Sequence, residues 1–229
     1  VTPETLQALL RGRDAAAGVV LATRLPDGEQ RIFPDDAASG ALRDAAMAAL
    51  ERDQSRLTQI GDERWFLHAQ APPHRVLIVG AVHIAQALAP LAVLTGLRVT
   101  IIDPRRGFAS PDRFPDTTLL PAWPDEALAT LRPDRRTAII ALSHDPKLDD
   151  PALDMALRSD AFFVGALGSR KSHEARLARL RDRGHGQAAL DRIRGPVGLA
   201  IGAVTAPEIA LSIVAEIVAA RRGAALARR

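Results

Sequence analysis

The stretch Arg75-Val-Leu-Ile-Val-Gly-Ala-Val-His-Ile-Ala-Gln-Ala-Leu-Ala-Pro90 constrains the fold more than any other part of the chain. An apolar run of strand length stops at Gly80, and a helical pattern opens at His83. A second apolar run, Val99-Thr-Ile-Ile102, ends in Asp103. Strand, glycine turn, helix, strand and terminal acid follow one another as in the first βαβ unit of a dinucleotide-binding fold. There a phosphate sits on the helix N-terminus and the acid meets a ribose hydroxyl. One residue departs from the pattern. A G-x-G-x-x-G motif starting at Gly80 needs glycine at 82, and this chain has Val82.

From residue 75 onward, runs of strand length alternate with helical patterns, which predicts a parallel sheet covered on both faces. The expected strands are 75–80, 98–103, 117–121, 137–142 and 161–165, with a short last one near 197–201. The expected helices are 83–95, 124–131, 150–158, 170–183 and 206–222. The closing helix is apolar around most of its circumference between Glu208 and Ala220, so it is buried in the core or against another subunit. A homodimer through 206–222 is the second of these expectations.

Residues 1–71 read as a smaller α/β unit. Thr2-Pro3 opens a helix, with Thr2 as N-cap, and Asp27-Gly28 turns a hairpin between 19–23 and 31–33. Ser39 caps a helix running to about Arg52, and Gly61-Asp62 turns a second hairpin. Ala71-Pro-Pro-His74 is the expected linker, because consecutive prolines stop both helix and sheet. The expected fold class is therefore α/β: a Rossmann-like doubly wound parallel sheet in 75–229 with a smaller N-terminal α/β domain in 1–71.

Composition closes several routes. Cysteine is absent, which excludes disulfides, thiolate metal sites and cysteine nucleophiles and fits a cytoplasmic location. No apolar stretch is long enough to cross a bilayer, and the segment beginning Val1-Thr-Pro-Glu lacks the apolar core of a signal peptide. The isoelectric point of 10.4 suggests nucleic acid, but the formal charge is only +3. With no tyrosine, no cysteine and only Lys147 and Lys171 as lysines, a small excess of arginine drives that value up. Basic residues are scattered along the chain, apart from the C-terminal run with Arg221-Arg222 and Arg228-Arg229, read as a solvated tail.

Three turns carry candidate chemistry. In Gly80-Ala81-Val82-His83, Gly80 permits a sharp turn, Ala81 admits a ligand close to the backbone, and His83 is placed either to reach a phosphate at the helix start or to flank the pocket mouth. The alternative is an ordinary tight βα turn. In Gly165-Ala-Leu-Gly168-Ser169-Arg170-Lys171, Ser169 is placed as an N-cap. Arg170 and Lys171 there oppose the helix dipole unless an anion neutralises them. The alternative is a solvent-facing turn whose cations meet carboxylates elsewhere. In Ser143-His144-Asp145, at the expected carboxyl end of a strand, His144 and Asp145 are placed to contact a ligand or to act as acid and base. Asp149 or Asp150 reads as the N-cap of the next helix. A Ser–His–Asp triad is excluded, because three consecutive residues cannot stack nucleophile, base and orienter. No metal site and no catalytic residue is assigned.

Together the motifs resemble the XdhC/CoxI family, accessory proteins of molybdenum hydroxylases such as xanthine dehydrogenase and aerobic carbon monoxide dehydrogenase. The likeness rests on Leu77–Pro90, Val99–Arg105, Ala141–Asp150, Gly165–Arg170, Pro196–Gly202 and Thr205–Ile217, in that order. It implies a Rossmann domain and a chaperone role: binding molybdenum cofactor (molybdopterin or its dinucleotide form), protecting it while its sulfur ligand is installed, and passing it to the apo-enzyme. The implied partners are an apo molybdenum hydroxylase and a sulfurtransferase. On this reading Gly80, Ala81, His83, Gly165, Gly168, Ser169 and Arg170 face phosphate. Asp103 contacts a sugar or pterin edge, and His144 and Asp145 line the same crevice. The chain departs from the family at Val82, where a second glycine is usual, and in lacking an arginine- and glycine-rich segment and a Gly-Gly-Cys motif. Two rival readings remain: an oxidoreductase using NAD(P), and a scaffold for the apo-hydroxylase that holds no small ligand.

Overall fold

The computed structural model describes residues 3–14, 18–34, 40–115 and 117–224. The chain divides into two compact units, Val1–Pro72 and Pro73–Arg229. In the first, α1 (Pro3–Asp14) and α2 (Ala41–Glu51) accompany four strands: β1 (Val19–Leu25), β2 (Gln30–Phe33), β3 (Arg56–Ile60) and β4 (Glu63–Gln70). The strands form an antiparallel sheet in the order β2-β1-β4-β3. Alternation decides its inner face: Val20, Ala22, Trp65 and Leu67 are buried with Phe33 and with Leu42, Ala46 and Ala49 of α2. Both hairpin turns fall where the glycines predict, with Gly28 and Gly61 at positive φ. Thr2 and Ser39 lie outside the described residues, and Gly40 is the residue that precedes α2.

The second unit is built on six strands: β5 (Arg75–Val79), β6 (Arg98–Ile102), β7 (Thr118–Leu120), β8 (Thr137–Ala141), β9 (Phe163–Ala166) and β10 (Ile193–Arg194). Their order is β10-β9-β8-β5-β6-β7, and every pairing is parallel. This is the doubly wound order, which reverses direction between β5 and β8. The central strands read as continuous apolar runs because both faces are covered: all five residues of β8 are buried, and so are four of the five in β5. Side chains sort by parity. Val76 and Ile78 pack with α3 (His83–Leu94) and α8 (Ala206–Arg222). Leu77 and Val79 pack with α4 (Pro124–Leu131), α5 (Pro146–Arg158) and α6 (Arg170–Asp182).

Three elements differ from the sequence expectation. The last strand is Ile193–Arg194, pairing with Val164 and Gly165, rather than a segment near 197–201. Pro196 has no N–H to give a ladder and Gly198 sits at φ +108°, so that apolar run becomes a loop. A short α7 (Gln187–Leu190) precedes the strand; its single turn carries no periodic signal. Helix α5 begins at Pro146, four residues early, because proline suits the first helical position and Asp145 is the N-cap, accepting from the Lys147 amide at 2.9 Å. Asp149 and Asp150 therefore lie inside the helix. The apolar circumference of α8 is used by its own domain: Ala210, Ile213, Val214, Ile217 and Ala219 are buried, and Leu211 stays exposed. Arg221 and Arg222 occupy its last turn, where cations suit the dipole, while Arg228-Arg229 lies outside the described residues. Among the described residues, no helix is long and apolar enough to cross a membrane.

Candidate functional site

The turns after β5, β8 and β9 emerge at the same carboxyl edge of the sheet, at and beside the switch between β5 and β8. Ligands bind at that edge in open α/β sheets. The first and last of these turns are two strand spacings apart, about 10 Å.

Gly80 has φ +102°, and a Cβ there would stand 2.8 Å from the Ser143 amide nitrogen. The position therefore needs glycine for its conformation and for the close approach of the next turn. Ala81 is fully buried, and Val82, the N-cap of α3, packs partly onto the apolar cluster beneath α3 and α8. His83 is exposed at the helix start.

Asp103 is fully buried. One oxygen accepts from the Ala81 amide (2.8 Å) and Nη2 of Arg105 (2.7 Å); the other accepts from the amide and Nε of Arg105, both at 2.9 Å. Burial pushes its carboxyl up, and the donors from Arg105 and Ala81 outweigh this, holding it below the usual carboxylate range. The carboxylate thus ties the glycine turn to Arg105, and Arg105 is the group it presents at the rim. That guanidinium lies 4.3 Å from the centre of the Phe108 ring.

Ser143 links the first turn to the interior. Its hydroxyl donates to Asp149 at 2.6 Å, and its amide donates to the same oxygen at 3.2 Å. His144 is exposed and holds φ +61°, an uncommon conformation for a residue with a side chain. Asp149 is 2% exposed, and burial raises its carboxyl above the ordinary value despite the Ser143 hydroxyl and the Arg176 charge. The other Asp149 oxygen is 3.6 Å from Nη2 of Arg176, which donates to the Leu167 carbonyl at 2.9 Å. A continuous path therefore runs from Gly80 through Ser143, Asp149 and Arg176 to the turn ahead of Gly168.

At that turn Gly168 has φ +140° and Ser169 caps α6, accepting from the Ser172 amide at 3.1 Å. Arg170 and Lys171 are exposed in the first helical turn. Between α6, β10 and α8 a cleft of about 900 Å³ opens, lined by Arg170, His173, Arg194, Gly195 and Glu216 among others. Among the described residues no cluster of His, Asp and Glu is arranged to hold a metal ion.

Arg105, His173 and Arg176 were not singled out from sequence, and Asp149 was read only as a helix cap. A cue existed for the last: Arg176 shares the inner face of α6 with Leu177 and Leu180, where an apolar residue would be usual.

A doubly wound parallel sheet with two glycine turns at one rim defines the class of Rossmann domains. Within that class, residues 76–217 match the XdhC Rossmann domain, and the chain belongs to the XdhC family. It is 35% identical over 150 residues to the molybdenum cofactor insertion chaperone PaoD of Escherichia coli (strain K12), covering 66% of this chain and 41% of PaoD. It is 33% identical over 162 residues to the uncharacterized protein YqeB of the same organism, covering 69% of this chain and 29% of YqeB. A probable xanthine dehydrogenase subunit from Bacillus subtilis (strain 168) is 28% identical over 162 residues, 70% of this chain and 47% of that protein. The chain thus spans less than half the length of these curated relatives. The crystal structure of a xanthine dehydrogenase from Bacillus halodurans superposes with a TM-score of 0.76 over 97% of this chain and 69% of that one. At 21% identity it bears on the fold alone.

Proposed function

We propose that this protein binds molybdenum cofactor, as molybdopterin or its dinucleotide form, and delivers it to an apo molybdenum hydroxylase. It acts by binding and release rather than by turnover. The observation that carries the reading is the shared rim. Two glycine turns stand at one edge of the sheet, with buried Arg176 beneath the second and Arg170 and Lys171 at its mouth. Both forms of the cofactor carry phosphate, which suits helix N-termini and guanidinium groups. Similarity to a cofactor insertion chaperone supports the delivery role.

In this reading His83 and the start of α3 face phosphate, with Gly80 and Ala81 shaping the turn, and Gly168, Ser169 and Arg170 form the other phosphate-facing turn. Gly165 has no part in it, because it is buried inside β9 with Val197, Phe163 and Ile140 around the place of its missing Cβ. Asp103 positions the first turn and Arg105, while His144 and Asp145 flank the crevice. With no cysteine, the chain holds its cargo through charge and backbone contacts rather than a thiolate. An oxidoreductase would need Asp103 for a ribose hydroxyl, and Arg105 and Ala81 already occupy it. Delivery is therefore the better-supported reading.

Calorimetry with purified molybdenum cofactor tests it. The wild type binds, and Arg170→Ala binds about tenfold more weakly, the loss of one charge-assisted hydrogen bond. No cofactor binding, or tight NAD(P)H binding with hydride transfer, would overturn the proposal.

A further inference from the structure

Among the described residues, three buried nitrogens on one face of α6 have no hydrogen-bond partner: Nδ1 of His173 and Nε and Nη1 of Arg176. Residues three apart on a helix are neighbours, and the Arg176 charge acts on the His173 ring, whose Nδ1 packs against Gly195. Arg176 is only 4% exposed, and a buried guanidinium with unmet N–H groups is costly unless something accepts from them. The surrounding carboxylates are committed elsewhere. Asp149 takes the Ser143 hydroxyl and stands 3.6 Å from Arg176, beyond hydrogen-bond length. Asp150 is held by Arg179 through bonds of 2.6 and 2.9 Å.

The backbone above the guanidinium is thin. Helical side chains lean toward the N-terminus, which brings Arg176 beneath the turn that precedes α6. A Cβ on Gly168 would lie 3.3 Å from Cβ of Ser172 and 3.7 Å from Nη2 of Arg176, so glycine keeps a narrow gap open between the turn and the guanidinium. His173 meanwhile lines the cleft between α6, β10 and α8 together with Arg170.

We propose that Arg176, with His173 beside it, is the anion-binding centre of the Leu167–Ser169 turn, taking a phosphate monoester or diphosphate that enters past Arg170. This deepens the delivery reading by assigning the cargo's phosphate to one buried guanidinium. Phosphate oxygens accept from the orphaned N–H groups, and the anion compensates a cation that Asp149 only partly offsets.

The test uses the full chain with sodium pyrophosphate and inorganic phosphate, against chloride at equal ionic strength. Binding is followed by calorimetry and by NMR of the histidine rings, with His173→Gln assigning its signals. Burial and the Arg176 charge hold His173 below its ordinary pKa. Bound pyrophosphate is expected to shift the His173 ring signals and raise that pKa. Arg176→Gln is expected to weaken pyrophosphate binding at least tenfold and to abolish the His173 response. If Arg176→Gln does not fold, because Asp149 is left alone in the core, the neutral pair Asp149→Asn/Arg176→Gln replaces it, and the wild-type titration still decides. A His173 ring unmoved at saturating pyrophosphate, or affinity unchanged on losing Arg176, overturns the assignment. Pyrophosphate binding at Arg176 without molybdenum cofactor binding would keep this inference and remove the delivery reading. Cofactor binding indifferent to Arg176 would do the reverse.

Discussion

At the scale of single residues, the rim depends on atoms that are missing. Gly80 and Gly96 belong to the same domain and both hold positive φ, at +102° and +80°. A Cβ on Gly80 would meet the Ser143 backbone, whereas nothing lies within 4 Å of one on Gly96. Gly96→Ala should therefore cost only the left-handed penalty, about 1 kcal/mol. Gly80→Ala adds a clash with a turn that cannot move without disturbing Asp149, and should cost about 2–4 kcal/mol. Guanidinium chloride melts of the two variants measure the difference, which isolates the close approach from the backbone conformation. Equal losses would mean that Ser143 yields freely and that the first two turns are not braced against each other. Asp103 shows why residue type alone misleads at this scale. Its place after the second strand suggested a group free for a sugar, and only the folded chain brings the Ala81 amide and the Arg105 guanidinium onto it.

At the scale of elements, α6 carries a conflict that its sequence announces. Arg170 and Lys171 sit in its first turn, against the dipole, and among the described residues neither has an ion-pair partner. Lys171→Glu should therefore stabilise the fold by about 0.5 kcal/mol at low ionic strength, with the gain fading in salt. Thermal melts at two salt concentrations check this. The same substitution should weaken pyrophosphate binding, so stability and binding move in opposite directions; if both rise, the cations are not there for an anion. What was legible followed from periodicity. Strands β5, β6 and β8 were readable because buried parallel strands are unbroken apolar runs, and α8 because its apolar pattern runs from Glu208 to Ala220, longer than any strand. Strand β10 was not, because two residues carry no pattern. The early start of α5 was hidden because Pro146 reads equally as a break and as a first helical residue. The path from Ser143 through Asp149 to Arg176 was invisible because β8 and β9 bring those side chains together only when paired. Sequence placed the three turns, and the fold supplied the connections between them.

At the scale of the whole chain, the two units are built from separate cores. The first core draws on residues between Val20 and Ala69, and the two layers of the second on residues between Val76 and Val218. A smaller unit buries a smaller share of its surface and is the less stable of two, other things being equal. Tryptophan reports on each separately, since Trp65 is 1% exposed in the first unit and Trp123 is 47% exposed in the second. With Trp123→Phe, fluorescence follows Trp65 alone. Far-UV ellipticity mainly follows the second unit, which contains α3 to α8. In guanidinium chloride the fluorescence transition should therefore come first, at lower denaturant than the main loss of ellipticity. Pyrophosphate should move only the later transition, by mass action on the domain that holds Arg176. Coincident transitions that shift together would instead show one cooperative unit, in which the N-terminal sheet shares the stability of the rim.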